Sequence, residues 1–291
     1  MFFINTIIIS LFFLQHLSTE NPLNTIIFSS EITITINGTG NQKILNNERK
    51  SCDNQNYLTF KDIPSQIIVN GVLQNYTGYI VYNLESEINY ITMIWNHTVK
   101  DCKIMFKDLV NITRIDLSKF DSSEVTDMKC MFNGLTSLQS IDLTDFVTPL
   151  VTNMCAMFSN CRALTSLDLS IFDTSSVLSM GSMFYNCYSL KSLDLTGFNT
   201  SLVKSMSSMF YSCNSLTSLD LSFFDTSEVT EMSTMFKGCS SLANLNLKNF
   251  NTQSVSQSSY MLGSVSKELI FCISESKKSK IGRAVQQECR D

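Results

Sequence analysis

The chain has 291 residues, of which 16% are charged, and a formal net charge of −5 at pH 7. No region is basic enough to predict binding to nucleic acid. Only two histidines occur, His16 and His97, so no Ser/His/Asp or Cys/His arrangement has a base. We therefore predict a protein that is not an enzyme and that holds no cofactor or metal.

The first residues have the pattern of a secretory signal. Phe2 to Leu14 are apolar except for Asn5, Thr6 and Ser10, and the polar run QHLSTENP follows. A transmembrane helix needs roughly 20 apolar residues, more than any stretch here supplies. We predict a signal peptide over residues 1–19, a secreted or extracellular cell-surface location, and no transmembrane segment in the mature chain.

Sequons for N-glycosylation fit an extracellular location, because they matter only in a secreted chain. They lie at Asn37, Asn75, Asn96, Asn111 and Asn199. The alternative is chance, since Asn and Thr are abundant. We predict glycans on at least Asn37 or Asn75, both in turn-rich sequence.

The segment after the signal predicts strands. IIFSSEITITING alternates apolar and polar residues and breaks at NGTGNQ, and QIIVNGVLQ and YTGYIVYNL are also strand-like. We predict a small β domain over residues 20–85. A capping repeat follows over residues 86–111, because Val99, Cys102 and Met105 lie 26 residues before Val125, Met128 and Met131.

A 26-residue repeat organises most of the chain. The stretch from Leu164 to Ser189, LTSLDLSIFDTSSVLSMGSMFYNCYS, recurs at Leu190 and Leu216, and more loosely at Ile112, Leu138 and Leu242. A fixed period of this length predicts a stacked array. We place the array at residues 112–267 and a C-terminal cap at 268–291, and we number repeat positions from Leu164 as position 1.

The pattern of apolar residues within each repeat predicts one strand and one short helix. Positions 4–6 form a short strand that pairs in parallel with its copies, and Phe at position 9 fills the corner. Val177, Met180, Met183 and Phe184 then fall at helical spacing. The predicted fold class is an α/β repeat.

Position 24 is a cysteine column, formed by Cys161, Cys187, Cys213 and Cys239. Flanking repeats carry Leu109, Leu135 and Val265 there, which predicts buried, reduced thiols. Disulfides or metal ligands are the alternative, although no regular CxxC or Cys/His cluster is present. Among other cysteines, Cys272 with Cys289 is the favoured disulfide pair; Cys52 with Cys102 and Cys130 with Cys155 are guesses.

The motif LxSLDLSxFDTSxVxxMxxMFxxC, over Ile112 to about Asn251, resembles the repeat of BspA-like leucine-rich-repeat surface proteins. The resemblance implies a leucine-rich-repeat solenoid with a parallel sheet on its concave face. It also implies display or secretion at the cell surface, adhesion to or binding of host or neighbouring-cell proteins, and no catalytic residue.

Outward columns supply the candidate binding residues. Position 5 is an acidic row that includes Asp142, Asp168, Asp194 and Asp220. Repulsion along it is offset by hydroxyl neighbours and solvent or, alternatively, by calcium. Position 8 varies between repeats and exposes Ile171 and Phe223. Tyr185, Tyr188 and Tyr211 form a second set, which either binds a partner or merely covers the surface.

We predict that a protein docks at the sheet edge beside Ile171 and Phe223. There the acidic row would steer a basic partner, whereas the tyrosines have no comparable charged border. The predicted partners are proteins on host or neighbouring cells or in the extracellular matrix. The alternative function is a structural coat or matrix protein without a discrete ligand.

Overall fold

The computed structural model describes residues 29–45, 49–50, 57–58, 62–74 and 81–272. The predicted signal peptide and most of the predicted C-terminal cap lie outside these residues. Within these described residues, the secondary-structure elements are thirteen strands.

Antiparallel strands make up the N-terminal part. β1 alternates as predicted, with Ile32, Ile34 and Ile36 buried, and it pairs with β8 along its whole length. β8 reaches Trp95, beyond the predicted boundary at residue 85. The first eight strands are β1 Ser30–Asn37, β2 Gly40–Lys43, β3 Arg49–Lys50, β4 Tyr57–Leu58, β5 Gln66–Val69, β6 Val72–Leu73, β7 Val81–Leu84 and β8 Ile88–Trp95.

One sheet joins this part to the repeats. β9 (Ile112–Lys119) pairs antiparallel with β1 and parallel with β10 (Ser140–Asp142), which produces the six-stranded order β10-β9-β1-β8-β5-β6. The Trp95 ring meets the Phe120 ring edge-on, with centroids 5.6 Å apart. The N-terminal strands therefore cover the first repeat, and both parts share one hydrophobic core.

Successive repeats stack in register. Parallel strands β11 (Ser218–Asp220), β12 (Asn244–Asn246) and β13 (Ile270–Cys272) form a second sheet, in which each residue faces the residue 26 positions later. On another side of the stack, single bridges repeat at the same interval from Asp101↔Asp127 to Glu231↔Gln257. The 26-residue period is therefore the step of the stack.

The predicted helix is absent, because the described residues contain no helix. Within the segment around Met183, alternate N–H groups donate to carbonyls of the next repeat instead of four residues back. The bonds are Met180 N to Ser205 O at 3.1 Å, Ser182 N to Ser207 O at 2.8 Å and Phe184 N to Met209 O at 2.9 Å. The Met183 N–H, which lies between two of these donors, donates three residues back to Met180 O at 3.2 Å. The segment is a series of turns hydrogen-bonded across the stack.

Left-handed residues explain why a helix cannot form. Ser182 has φ 56° and Asn186 has φ 59°, and the same two positions recur with positive φ in the other repeats. Such a conformation interrupts a right-handed helix. Val177, Met180, Met183 and Phe184 are nevertheless buried, because consecutive turns also return side chains to one side.

The predicted continuous parallel sheet is also wrong. Residues 166–168 and 192–194 are not strands. In the described chain, Leu221 N donates to Asn246 O at 2.9 Å, whereas the equivalent N–H groups of Leu143, Leu169 and Leu195 make no such bond. In the described residues, the predicted α/β leucine-rich-repeat solenoid is therefore replaced by a stack of coils without helices, because the backbone bonds to the next repeat where a helix would bond to itself.

Aromatic rings fill the interior of the stack. The column Phe106, Phe132, Phe158, Phe184, Phe210 and Phe236 is fully buried. Its successive ring centroids lie between 5.2 and 6.1 Å apart. Each repeat thus buries its core against its neighbours, as stacked repeats must.

The prediction for the position-24 cysteines is confirmed: all four are free and fully buried. Each thiol donates to the carbonyl of a phenylalanine in the preceding repeat, as Cys187 Sγ does to Phe158 O at 3.2 Å. Burial raises the pKa of each thiol. The column is a packing element.

Candidate protein-binding surface

The acidic row is held by local hydrogen bonds. Asp142 Oδ1 accepts the N–H of Thr144 at 3.0 Å, and Asp168 Oδ1 accepts that of Ser170 at 3.0 Å. Asp194 and Asp220 repeat this Asx turn, and Asn246 makes it with a neutral amide. The turn explains why position 5 requires Asp or Asn.

These hydrogen bonds keep the row charged. The side-chain and backbone hydrogen bonds of Thr144 lower the pKa of Asp142, and those of Ser170 lower the pKa of Asp168. The pKa values of Asp194 and Asp220 are lowered in the same way. Over the part of the chain that the structure describes, no group of three or more His, Cys, Asp or Glu side chains could hold a metal ion.

A groove opens at the start of this row. It has a volume of about 510 Å³ and brings together the predicted residues Asp142, Asp168 and Ile171. Arg114 and Ser140 also line it, and Arg114 was not among the predicted residues. The only sequence signal for Arg114 is that it occupies position 3, where four later repeats carry serine. The complete lining is Arg114, Ser140, Ile141, Asp142, Leu143, Thr144, Asp168, Ser170 and Ile171.

The backbone beside the groove is open. Residues 166–168 and 192–194 receive no backbone hydrogen bond from a neighbouring repeat in the described chain, although Lys191 N reaches Thr165 O at 3.2 Å. Leu167 is half-buried, and Ser166 and Asp168 are exposed. Polar backbone groups here can therefore bond with an incoming ligand.

Phe223 lies apart from the groove, at the same repeat position as Ile171 but two repeats further along. Its side chain is 62% exposed, whereas Ile171 is 38% exposed. Asp194 and Asp220 occupy the intervening part of the acidic row. The structure thus places the predicted edge residues along one line, with the groove at one end and a large exposed aromatic at the other.

The tyrosine set forms a second surface. Tyr185 and Tyr211 stack with centroids 4.7 Å apart, and both are half-buried. The Arg162 guanidinium lies 5.5 Å from the centre of the Tyr188 ring. One cation from the adjacent repeat therefore lies at this tyrosine surface, whereas the predicted sheet edge carries a row of carboxylates.

Predicted modification sites are placed as follows. Asn37, Asn96, Asn111 and Asn199 are exposed, and Asn75 lies outside the described residues. Cys272 carries a free, exposed thiol, and Cys289, its predicted disulfide partner, lies outside the described residues. Cys102 is also free, whereas Cys130 is disulfide-bonded.

Comparisons with known proteins identify one matching family. Its description is "Mycoplasma protein of unknown function, DUF285", and it matches residues 100–193 and 163–269, which together are more than half of the chain. No curated protein and no solved structure matches the chain. Across the residues that the structure describes, no helix has the length and apolar character needed to cross a membrane.

Proposed function

Because the chain belongs to the DUF285 family, whose description assigns no function, we propose a function from its surfaces. The protein is secreted or held at the cell surface, and it binds proteins on host or neighbouring cells or in the extracellular matrix. It carries out no catalysis. The resemblance to BspA-like surface proteins, which led to the same function, stays a prediction.

The proposal rests on the exposed surface that runs from the groove along the acidic row to Phe223. A groove of about 510 Å³ is of the size that specific ligand sites have. Phe223 is an exposed aromatic of the kind that anchors protein interfaces. Phe223 lies outside the buried core, and the groove opens to the surface above the buried Leu143, so both can contact a partner.

The charge of this surface indicates the charge of its partner. Asp142, Asp168, Asp194 and Asp220 line the surface with carboxylates whose lowered pKa values keep them ionised at neutral pH. Such a row attracts a basic surface and speeds its association. Arg114 at the end of the groove adds a site for one acidic group of the partner.

Two alanine variants test the proposal. Proteins captured from host and neighbouring cell surfaces by the purified chain would be identified, and their affinities measured for Phe223→Ala and Tyr211→Ala. We expect Phe223→Ala to weaken binding by more than about 1 kcal/mol, as for an interface anchor, and Tyr211→Ala to be nearly neutral.

Circular dichroism of both variants provides the folding control. The reverse ranking would move the binding site to the tyrosine surface. Failure of the wild-type chain to bind any cell-surface or matrix protein would contradict the proposed function itself.

A further inference from the structure

The repeats separate their charges around the stack. Residues 112–267 contain 13 carboxylates, and every one of them falls at repeat positions 5–16. Positions 17–26 of the same repeats contain four basic side chains and no acid. We name positions 5–16 the acidic face and positions 17–26 the basic face. A chain of net charge −5 thus carries one acid-free strip along its repeats.

Aromatic rings of the basic face fix the direction of its cations. Arg162 lies over the Tyr188 ring, 5.5 Å from its centre, and Lys237 Nζ lies 5.2 Å from the centre of the Tyr260 ring. Tyr260 is 63% exposed, so the ring and its cation are both at the surface. Cation–π contacts of this kind position a charge while leaving it able to attract an anion.

Other groups between these cations are mainly hydrogen-bond donors and neutral amides. Asn186 Nδ2 donates to Asn160 Oδ1 at 3.0 Å, which forms an amide ladder across two repeats. Tyr185 and Tyr211, from the two repeats that follow Asn160, stack on each other and add phenol groups to this face. Donors and cations without a competing carboxylate suit a partner that presents carboxylates.

The spacing of the charged residues along the repeats indicates which protein presents these carboxylates. Arg162 and Lys237 belong to the repeats that begin at Leu138 and Leu216, and Asp142 and Asp220 of the acidic face belong to the same two repeats. Both pairs are therefore separated by the same three steps of the stack. An unrelated acidic protein would match this separation only by coincidence, whereas another copy of the chain matches it through its own repeat.

We propose that the basic face binds the acidic face of a second copy of this chain. The inference rests on the proposed function, because it uses the same acidic row and names one partner for it. Contact between two different faces leaves one copy of a pair with a free acidic face and the other copy with a free basic face. Association of this type continues into open assemblies unless a rotation closes it.

The first experiment is sedimentation velocity of the full chain over a range of concentrations. At about 0.01 M salt, where the Debye length is about 30 Å, we expect the mean mass to at least double as concentration rises. At about 1 M salt, where it is about 3 Å, we expect the monomer mass throughout.

Two variants each remove the charge of one of the two faces. Arg162→Glu with Lys237→Glu disables the basic face. Replacement of the acidic row by asparagine disables the acidic face and keeps the Asx turn, as Asn246 does naturally; its four changes are Asp142→Asn, Asp168→Asn, Asp194→Asn and Asp220→Asn. Each variant alone should remain a monomer.

Mixing the two variants is the decisive measurement. Each retains the face that the other lacks, so the mixture should form a one-to-one complex and nothing larger. Lys248→Gln is the matched control, because it removes a cation from the acidic face and should leave self-association intact. Circular dichroism would confirm that all variants fold.

A wild-type chain that stays monomeric at low salt would overturn the inference, and so would variants that associate as the wild type does. Either result leaves the proposed function standing if Phe223→Ala still weakens binding to another cell-surface or matrix protein. Failure of the self-association and failure of the proposed function are therefore distinguishable.

Discussion

Substitution of Ser182 by glycine should stabilise the protein relative to alanine at the same position. Ser182 has φ 56°, and this left-handed conformation ends the turn that replaces the predicted helix. A residue with a Cβ pays about 1 to 2 kcal/mol to adopt it. Glycine avoids that cost but loses about 0.5 to 1 kcal/mol more backbone entropy than alanine on folding.

The steric cost for alanine exceeds the entropy cost for glycine, so the free energy of unfolding should be about 0.5 to 1 kcal/mol higher for Ser182→Gly than for Ser182→Ala. Both variants remove the hydroxyl, so their difference isolates the backbone. Gly181 is the matched control: its φ lies outside the left-handed region, and an added Cβ would lie 3.5 Å from Ser205 Oγ, an ordinary contact. Gly181→Ala should therefore stabilise by about 0.5 to 1 kcal/mol, the opposite preference one residue away.

Chemical denaturation of the three variants, followed by circular dichroism, measures these differences in the free energy of unfolding. Thermal unfolding provides a second measurement, since 1 kcal/mol corresponds to about 2 to 4 °C for chains of roughly this size. If alanine at position 182 proves more stable than glycine, the left-handed turn is wrong, and the helix predicted from the spacing of the apolar side chains regains support.

Three other predictions concern the core, the thiols and a second turn. Phe184→Ala removes a fully buried ring from the aromatic column and should cost about 3 to 5 kcal/mol in denaturation, whereas exposed Phe223→Ala should change stability by less than about 0.5 kcal/mol. A thiol reagent at about pH 8 should modify Cys272 but not Cys187 in the folded chain, because burial raises the pKa of Cys187 to about 12. The same shift should lower stability as pH rises above 9.0, since the unfolded chain ionises this thiol while the folded chain keeps it protonated, and the loss levels off near the folded pKa. The other three buried thiols of the column contribute in the same direction, so denaturation across that range would show a flat profile only if all four were exposed. Gly238→Ala should destabilise by more than about 1 kcal/mol, because φ is 81° and the added Cβ would lie 2.7 Å from Ser212 Oγ; an unchanged denaturation midpoint would contradict the turn.

The candidate surface was predictable only in part. Asp168 and Ile171 could be found from the sequence because they stand in outward columns, one uniform and one variable. The groove between Asp168 and Ile171 could not be predicted from the sequence. It lies where the N–H groups of Leu143 and Leu169 do not bond to the next repeat, as the N–H of Leu221 does. Arg162 over Tyr188 was missed because position 25 carries an arginine in one repeat and a tyrosine in the next, a contact that one repeat does not contain.

The sequence by itself determined the period and the inward columns. Repetition of apolar residues every 26 positions requires a stack, and Leu or Val in place of cysteine at position 24 requires a buried thiol. Both follow from hydrophobic burial, which acts on side-chain type and spacing.

Only the tertiary structure decided how the backbone satisfies its hydrogen bonds. A helix and a series of turns bury the same side chains at Met180, Met183 and Phe184, so the apolar pattern cannot distinguish them. The choice depends on carbonyls 25 residues later in the chain, which accept the N–H groups of Met180, Ser182 and Phe184. Such partners exist only once the next repeat is in place, and they offset the cost of holding Ser182 in a left-handed conformation.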